Sequence, residues 1–66
     1  MSTYTEQLQA ELDALNVRRA ALAAIIDGPD FAGLSEADQA ARRLESNFAA
    51  SQAEGLRLRI SSAEAM

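Results

Sequence analysis

A stripe of mostly aliphatic residues, spaced three and four apart, runs through the first 26 residues of this chain. Five of its seven members are aliphatic, one is aromatic and one is cationic: Tyr4, Leu8, Leu12, Leu15, Arg19, Leu22 and Ile26. This spacing places all seven on one face of an α-helix. The sequence therefore predicts a first helix, over about residues 4–26, whose apolar face packs against another element.

Residues on either side of the stripe predict where this helix begins and ends. Thr3 and Glu6 have the spacing of a capping box, in which each side chain accepts a hydrogen bond from an unpaired backbone N–H. Gly28 predicts a left-handed C-terminal cap, and Pro29 cannot continue a helix. We therefore expect a turn over residues 27–34.

The second half of the chain predicts a second helix, over about residues 35–60, and a frayed tail over residues 61–66. Ser35 is a suitable N-cap, and Phe31 and Leu34 in the turn are expected to fold back over the end of the helix pair. A first apolar stripe starts this helix, at Ala37, Ala41, Leu44 and Phe48, and it then drifts to a second set, Ala49, Ala53, Leu56 and Ile60.

Gly55 lies inside the second helix, where glycine costs about 1 kcal/mol relative to alanine. A glycine is tolerated there most easily when another backbone or a ligand comes close. Close approach of a ligand and plain helix packing both account for it.

The chain is short, with 66 residues and neither Cys nor His. Domains of this size are marginal alone and usually need disulfides, a metal or oligomerisation. Without Cys and His, disulfides are excluded and a zinc site is not expected. The prediction is an all-α fold, a two-helix antiparallel hairpin that assembles into a compact helical homo-oligomer.

The net charge is −4, from ten acidic residues and six arginines. An acidic chain is not expected to bind duplex nucleic acid through a broad field, but clustered arginines suit phosphate or carboxylate. A coding bias toward Arg accounts for the same composition. There is no long apolar run and no signal-peptide pattern, so we expect no membrane contact and a cytoplasmic location.

Catalysis is not expected from this composition. The chain lacks His, Cys and Lys, the usual bases and nucleophiles near neutral pH. It has no glycine-rich phosphate loop, and its carboxylates follow solvated faces and turns. We therefore predict a protein that is not an enzyme and carries no cofactor or metal.

Tyr4 and Arg19 are the residues that favour ligand binding. A tyrosine ring can stack on a nucleobase, and a guanidinium can hold a phosphate. The two lie too far apart along one helix to meet at one small ligand, but two antiparallel chains can bring them together. In the alternative interpretation, Tyr4 staples the hairpin and Arg19 pairs with Glu45 or Glu54.

The chain resembles the hairpin domain shared by phage anti-CBASS protein two and the Thoeris anti-defence protein. The matching residues extend from the first helix through the turn to the end of the second: Tyr4, Leu8, Glu11, Leu12, Arg19, Leu22, Ile25, Ile26, Leu34, Ser35, Leu56, Arg59 and Ile60. Proteins of this family are sponges, which sequester cyclic oligonucleotide or cyclic ADP-ribose immune signals without cleaving them. The anti-CBASS branch forms hexamers of interlocked hairpins.

The resemblance implies roles for four residues. Tyr4 matches the aromatic residue that stacks on a base, and Thr5 the small polar residue that often follows. Arg19 matches the basic residue that meets the phosphates, where Lys is usual, and Arg59 an arginine linked with trinucleotide binding. The sequence departs from the pattern elsewhere, with Gln7 where Arg is common, Ile25 where Phe is common and Ser51 in place of an aromatic.

Three functions follow as hypotheses. The first is an anti-defence homohexamer that sequesters cyclic di- or trinucleotides in the bacterial cytoplasm through Tyr4, Thr5, Arg19 and Arg59. The second is a structural or adaptor hairpin that binds a partner protein through its open apolar flank. The third is a small anti-defence protein that inhibits an immune effector by direct contact.

Overall fold

A computed structural model of the chain describes residues 3–65. Two α-helices, α1 (Thr3–Asp27) and α2 (Glu36–Glu64), are joined by a short connection that contains the 3₁₀ turn Phe31–Gly33. The helices pack side by side in antiparallel orientation, and the molecule measures 48 × 14 × 12 Å. The predicted all-helical hairpin is confirmed.

The core is a single seam between the helices, made of the residues that α1 and α2 turn toward each other. Leu8 and Leu12 of α1 lie against Ala53 and Ile60 of α2, and Leu15 and Leu56 pack against this cluster. Leu8 is 2% exposed and Ala53 is 1% exposed. The small alanine leaves room for the leucines opposite it, so the helices approach closely at the middle of the seam.

Only the second of the two apolar stripes predicted on α2 belongs to this seam. Ala49, Ala53 and Ile60 are buried, whereas Leu44 and Phe48 of the first stripe are 69% and 66% exposed. The hairpin therefore leaves Leu44 and Phe48 uncovered. A single helix partner covers only one stripe of α2, and α1 covers the stripe with the alanines.

The helix boundaries differ from the predicted ones at both ends of the chain. Thr3 is the first described residue of α1, where the sequence predicted that it would cap the helix from outside. At the other end, α2 continues to Glu64, where the sequence predicted a frayed tail. Ile60 is buried and the backbone N–H of Ala65 donates to the carbonyl of Ser61 at 3.1 Å, so the apolar contact with α1 carries the helix onward.

The connection between the helices keeps some predicted features and changes others. Ser35 caps α2, because its Oγ accepts a hydrogen bond from the Asp38 backbone N–H at 3.1 Å. Phe31 is buried, but Leu34 is 37% exposed, so only the first of the two folds back fully. The Arg43 guanidinium lies 5.1 Å from the centre of the Phe31 ring, a cation–π contact.

Gly28 does not adopt the predicted left-handed conformation, since none of the described residues has a positive φ. Its role is steric. A Cβ at this position would lie 2.9 Å from the carbonyl oxygen of Ala24, closer than side chains tolerate. The chain therefore needs a glycine where it leaves α1, although for a different reason from the one predicted.

Candidate functional site

The hairpin brings Tyr4, at the start of α1, to Arg59, near the end of α2. Arg59 Nη2 donates a hydrogen bond to Tyr4 Oη at 3.2 Å, across 55 residues of sequence. The antiparallel packing produces this contact, because the first turn of α1 lies beside the last turns of α2. Two of the four predicted ligand-binding residues therefore meet within one chain.

Both side chains of this pair are open to solvent. Tyr4 is 50% exposed, and Arg59 is exposed as well. The pKa of Arg59 is raised above its ordinary value, chiefly by the hydrogen bond to Tyr4, with a smaller contribution from the negative charge of Glu11. The pair thus presents an aromatic ring and a permanent cation side by side, with most guanidinium N–H groups unused.

Arg59 also lines a groove between the helices. The groove has a volume of about 410 Å³ and is lined by Glu11, Leu15, Gln52, Gly55, Leu56 and Arg59. A second groove of about 450 Å³ is lined by Arg18, Leu44, Glu45, Phe48, Ala49 and Gln52. Gln52 borders both grooves, so the two adjoin, and the Tyr4–Arg59 pair lies beside the first of them through Arg59.

A second contact between the helices lies along this groove. Arg18 Nη2 is 4.0 Å from Glu45 Oε2, and Arg42 Nη1 is 3.5 Å from the same oxygen. Tyr4 and Arg18 are separated by fourteen residues, and so are Glu45 and Arg59. Equal spacing on both helices means that one constant antiparallel register joins Tyr4 to Arg59 and Arg18 to Glu45.

Arg19 does not make the ion pair that the alternative interpretation predicted. It is half-buried, and its Nη1 donates to Asn16 Oδ1 of its own helix at 3.5 Å. Glu45 is paired with Arg18 and Arg42 instead, and Glu54 with Arg57 at 3.9 Å. Neighbouring helical positions differ by about 100° in direction, so Arg18 reaches the groove and Arg19 does not.

The remaining predicted site residues are separated from the Tyr4–Arg59 pair. Arg19 lies fifteen residues after Tyr4, roughly 22 Å along the same helix. Thr5 is 8% exposed and borders a different, shallow depression together with Glu6, Gln9, Ala10, Asp13 and Glu64. Within one chain, therefore, Tyr4 and Arg59 form a pair, and Arg19 and Thr5 each lie elsewhere.

A largely exposed face of α2, which borders the grooves, carries an apolar stripe that we call the outer stripe. It consists of Leu44, Phe48, Ser51, Gly55 and Leu58, again at spacings of three and four. Leu44, Phe48 and Leu58 are each more than 60% exposed. The sequence analysis did not predict that the outer stripe continues beyond Phe48, nor that Arg18 contacts α2. The spacing of fourteen residues shared by Tyr4–Arg18 and Glu45–Arg59 is the signal that identifies Arg18.

Within residues 3–65, no group of three or more carboxylates is placed to hold a metal ion. Neither helix, over the same residues, combines the length and apolar character needed to cross a bilayer. The chain matches no protein-family model, no curated protein and no solved structure.

Proposed function

We propose that this protein is a non-enzymatic, phage-encoded anti-defence protein that sequesters cyclic di- or trinucleotide immune signals in the bacterial cytoplasm without cleaving them. The observation that supports it best is the Tyr4–Arg59 pair, whose polar atoms lie 3.2 Å apart at the end of an open groove. An exposed aromatic ring beside an exposed guanidinium matches a ligand that carries a base beside a phosphate.

Each member of the pair has a defined part in this proposal. The Tyr4 ring stacks on a base, an interaction worth about 1–3 kcal/mol per base in single-strand binding proteins. The Arg59 guanidinium donates two parallel hydrogen bonds to a phosphate, which is the geometry that favours Arg over Lys. The hydrogen bond from Arg59 to Tyr4 holds the two groups together before the ligand arrives.

The charge of the protein bears on how such a site works. A chain with a net charge of −4 holds a polyanion only where arginines of several subunits converge. We therefore propose that the sponge is a homo-oligomer, a hexamer if it follows the family that the sequence resembles. Arg19, which is half-buried in one chain, contributes in this proposal to a ligand held between subunits.

Isothermal titration calorimetry with a panel of cyclic di- and trinucleotides tests the proposal. We expect saturable binding that Tyr4→Ala and Arg59→Ala each weaken by at least about tenfold, the loss expected for a stacking or charge-assisted contact. Arg57→Ala is the matched control, because Arg57 lies two residues away and pairs with Glu54 of its own helix. Absence of heat and of any thermal shift with all ligands would reject the proposal.

A second measurement separates sequestration from turnover. The protein is incubated with the bound cyclic nucleotide and then boiled, and the released ligand is analysed by mass spectrometry. We expect the ligand to be recovered intact and in stoichiometric amount. Linear or hydrolysed product in excess of the protein would show an enzyme instead of a sponge.

An adaptor hairpin that binds a partner protein is the second candidate function. The outer stripe favours it, since Leu44, Phe48 and Leu58 expose large apolar side chains of the kind that protein interfaces cover. Under this candidate, Tyr4→Ala and Arg59→Ala leave partner binding unchanged, whereas Phe48→Glu abolishes it. The two candidates thus predict opposite responses to the same set of variants.

A further inference from the structure

We propose that the outer stripe of α2 is a self-association surface, against which the same stripe of a second copy packs in antiparallel orientation. The two-fold axis passes between Ser51 and Gly55. This arrangement places Phe48 of each copy opposite Leu58 of the other, and Ser51 opposite Gly55. The proposed function requires a homo-oligomer, and this proposal names the surface through which copies associate; it makes no claim about a ligand, so association and cross-linking test it without one.

The single chain exposes more surface than a compact folded monomer of the same mass. The chain exposes 4832 Å², whereas a folded monomer of 7.1 kDa is expected to expose about 4,100 Å². Its radius of gyration is 15.0 Å, against about 11 Å for a compact chain of this length. The excess of about 700 Å² is close to the roughly 800 Å² that each partner buries in a standard interface.

The middle of the outer stripe has two small residues between two large ones. Phe48 and Leu58 are 66% and 63% exposed, and they flank the two small residues at the centre. An antiparallel copy places Phe48 opposite Leu58 and Ser51 opposite Gly55, whereas Leu44 lies farther out, opposite Ser62. Two helices that meet at Ser51 and Gly55 come close there, while the large side chains pack on either side.

Gly55 provides independent support for this centre. A Cβ at this position would meet no atom within 4 Å, so packing inside the hairpin does not require a glycine. Glycine nevertheless costs about 1 kcal/mol relative to alanine in a helix interior. Close approach of a second backbone, outside this chain, accounts for a glycine here.

The charged residues beside the outer stripe also fit an antiparallel copy. Glu45, Gln52 and Arg59 follow one another at seven-residue intervals along the flank of the outer stripe. In an antiparallel copy this row runs in the opposite direction. Glu45 of each copy then lies opposite Arg59 of the other, and the two Gln52 side chains face each other. On the other flank, Glu54 meets its own copy, but Arg57 lies 3.9 Å from it and offsets the repulsion.

This pairing concentrates positive charge at the interface. Glu45 already contacts Arg18 and Arg42 of its own chain, and the second copy adds an Arg59 that also touches Tyr4. Three guanidiniums then surround one carboxylate, which gives an acidic protein two local cationic patches per dimer.

Sedimentation velocity and native mass spectrometry of the full chain test the surface. We expect an oligomer in the wild type, and Phe48→Glu is expected to raise the dissociation constant about tenfold or more, as for a central interface residue. Val17→Glu is the matched control, because Val17 is 73% exposed but lies on α1. A monomeric wild type, or equal weakening by Val17→Glu, would overturn the proposal.

Cysteine pairing tests the register in a chain that has no cysteine of its own. Ser51→Cys and Gly55→Cys are made as separate variants, mixed and oxidised. Antiparallel pairing predicts that the mixed disulfide between the two variants forms faster than either homodisulfide. A parallel or shifted register gives homodisulfides or no cross-link, and either result would overturn the assigned geometry. Circular dichroism of each variant verifies that the helices are intact.

Discussion

The two faces of α2 use their apolar residues in opposite ways. The inner face, against α1, buries Ala49, Ala53 and Ile60 at 3%, 1% and 8% exposure, whereas the outer face leaves Leu44 and Phe48 more than 60% exposed. A chain built only to fold as a hairpin gains more by burying its large side chains. The contrast indicates that folding of the hairpin depends on the inner face, and the outer face is the one through which we propose that copies associate.

The largest effect that tests this contrast comes from removing an inner residue. Ile60 is 8% exposed in the core cluster, so Ile60→Ala should lower the free energy of unfolding by about 2–5 kcal/mol. Leu58→Ala, two residues away and 63% exposed, should leave the stability of the isolated hairpin nearly unchanged. Urea unfolding at low protein concentration compares the two variants. Equal losses in the free energy of unfolding would contradict the inference that the inner face alone stabilises the hairpin.

A smaller effect is expected from enlarging a residue at the closest approach of the helices. Ala53→Leu adds volume at a position that is 1% exposed and packed with Leu8 and Leu12. Overpacking of this kind costs about 1–3 kcal/mol. The matched control is Ala50→Leu, because Ala50 is exposed on the same helix. If both substitutions are neutral in thermal unfolding, the helices do not pack as closely as the inner face requires.

The sequence was sufficient to predict the two helices, the turn between them and the Ser35 cap, because helical periodicity and capping are local properties. It did not reveal which apolar stripe of α2 meets α1. Both stripes have helical spacing and similar hydropathy, and the choice depends on how closely the facing side chains fit. That fit is decided by Leu8 and Leu12 opposite Ala53, which no local pattern encodes.

The site was predicted less completely than the fold, for a related reason. Tyr4 is a candidate from its aromatic ring and Arg59 from the family resemblance, but their contact depends on the antiparallel register, which only the packed pair defines. The expected partner of Glu45 or Glu54 was Arg19, and the residue that reaches Glu45 is Arg18. A step of one residue turns a side chain by about 100° around the helix. An error of one residue in choosing which side chain faces α2 therefore predicts the wrong ion pair.

The smallest expected effect, and the one that compares the faces most directly, comes from Gly55→Ala. In a monomeric hairpin the new methyl group meets no atom within 4 Å, so the substitution should raise the free energy of unfolding by about 1 kcal/mol through helix propensity. If a second copy packs against Gly55, the same methyl group intrudes between two backbones and weakens association.

The sign of this effect should therefore depend on the outer stripe. Gly55→Ala is measured twice, once alone and once in a Phe48→Glu chain that we expect to be monomeric. The stabilisation should appear fully in the Phe48→Glu background and be reduced or reversed without it. Gly33→Ala is the control, because Gly33 lies in the turn and an added Cβ there also meets no atom within 4 Å. Equal stabilisation by Gly55→Ala in both backgrounds would mean that no second backbone approaches Gly55, and the contrast between the two faces would then concern folding alone.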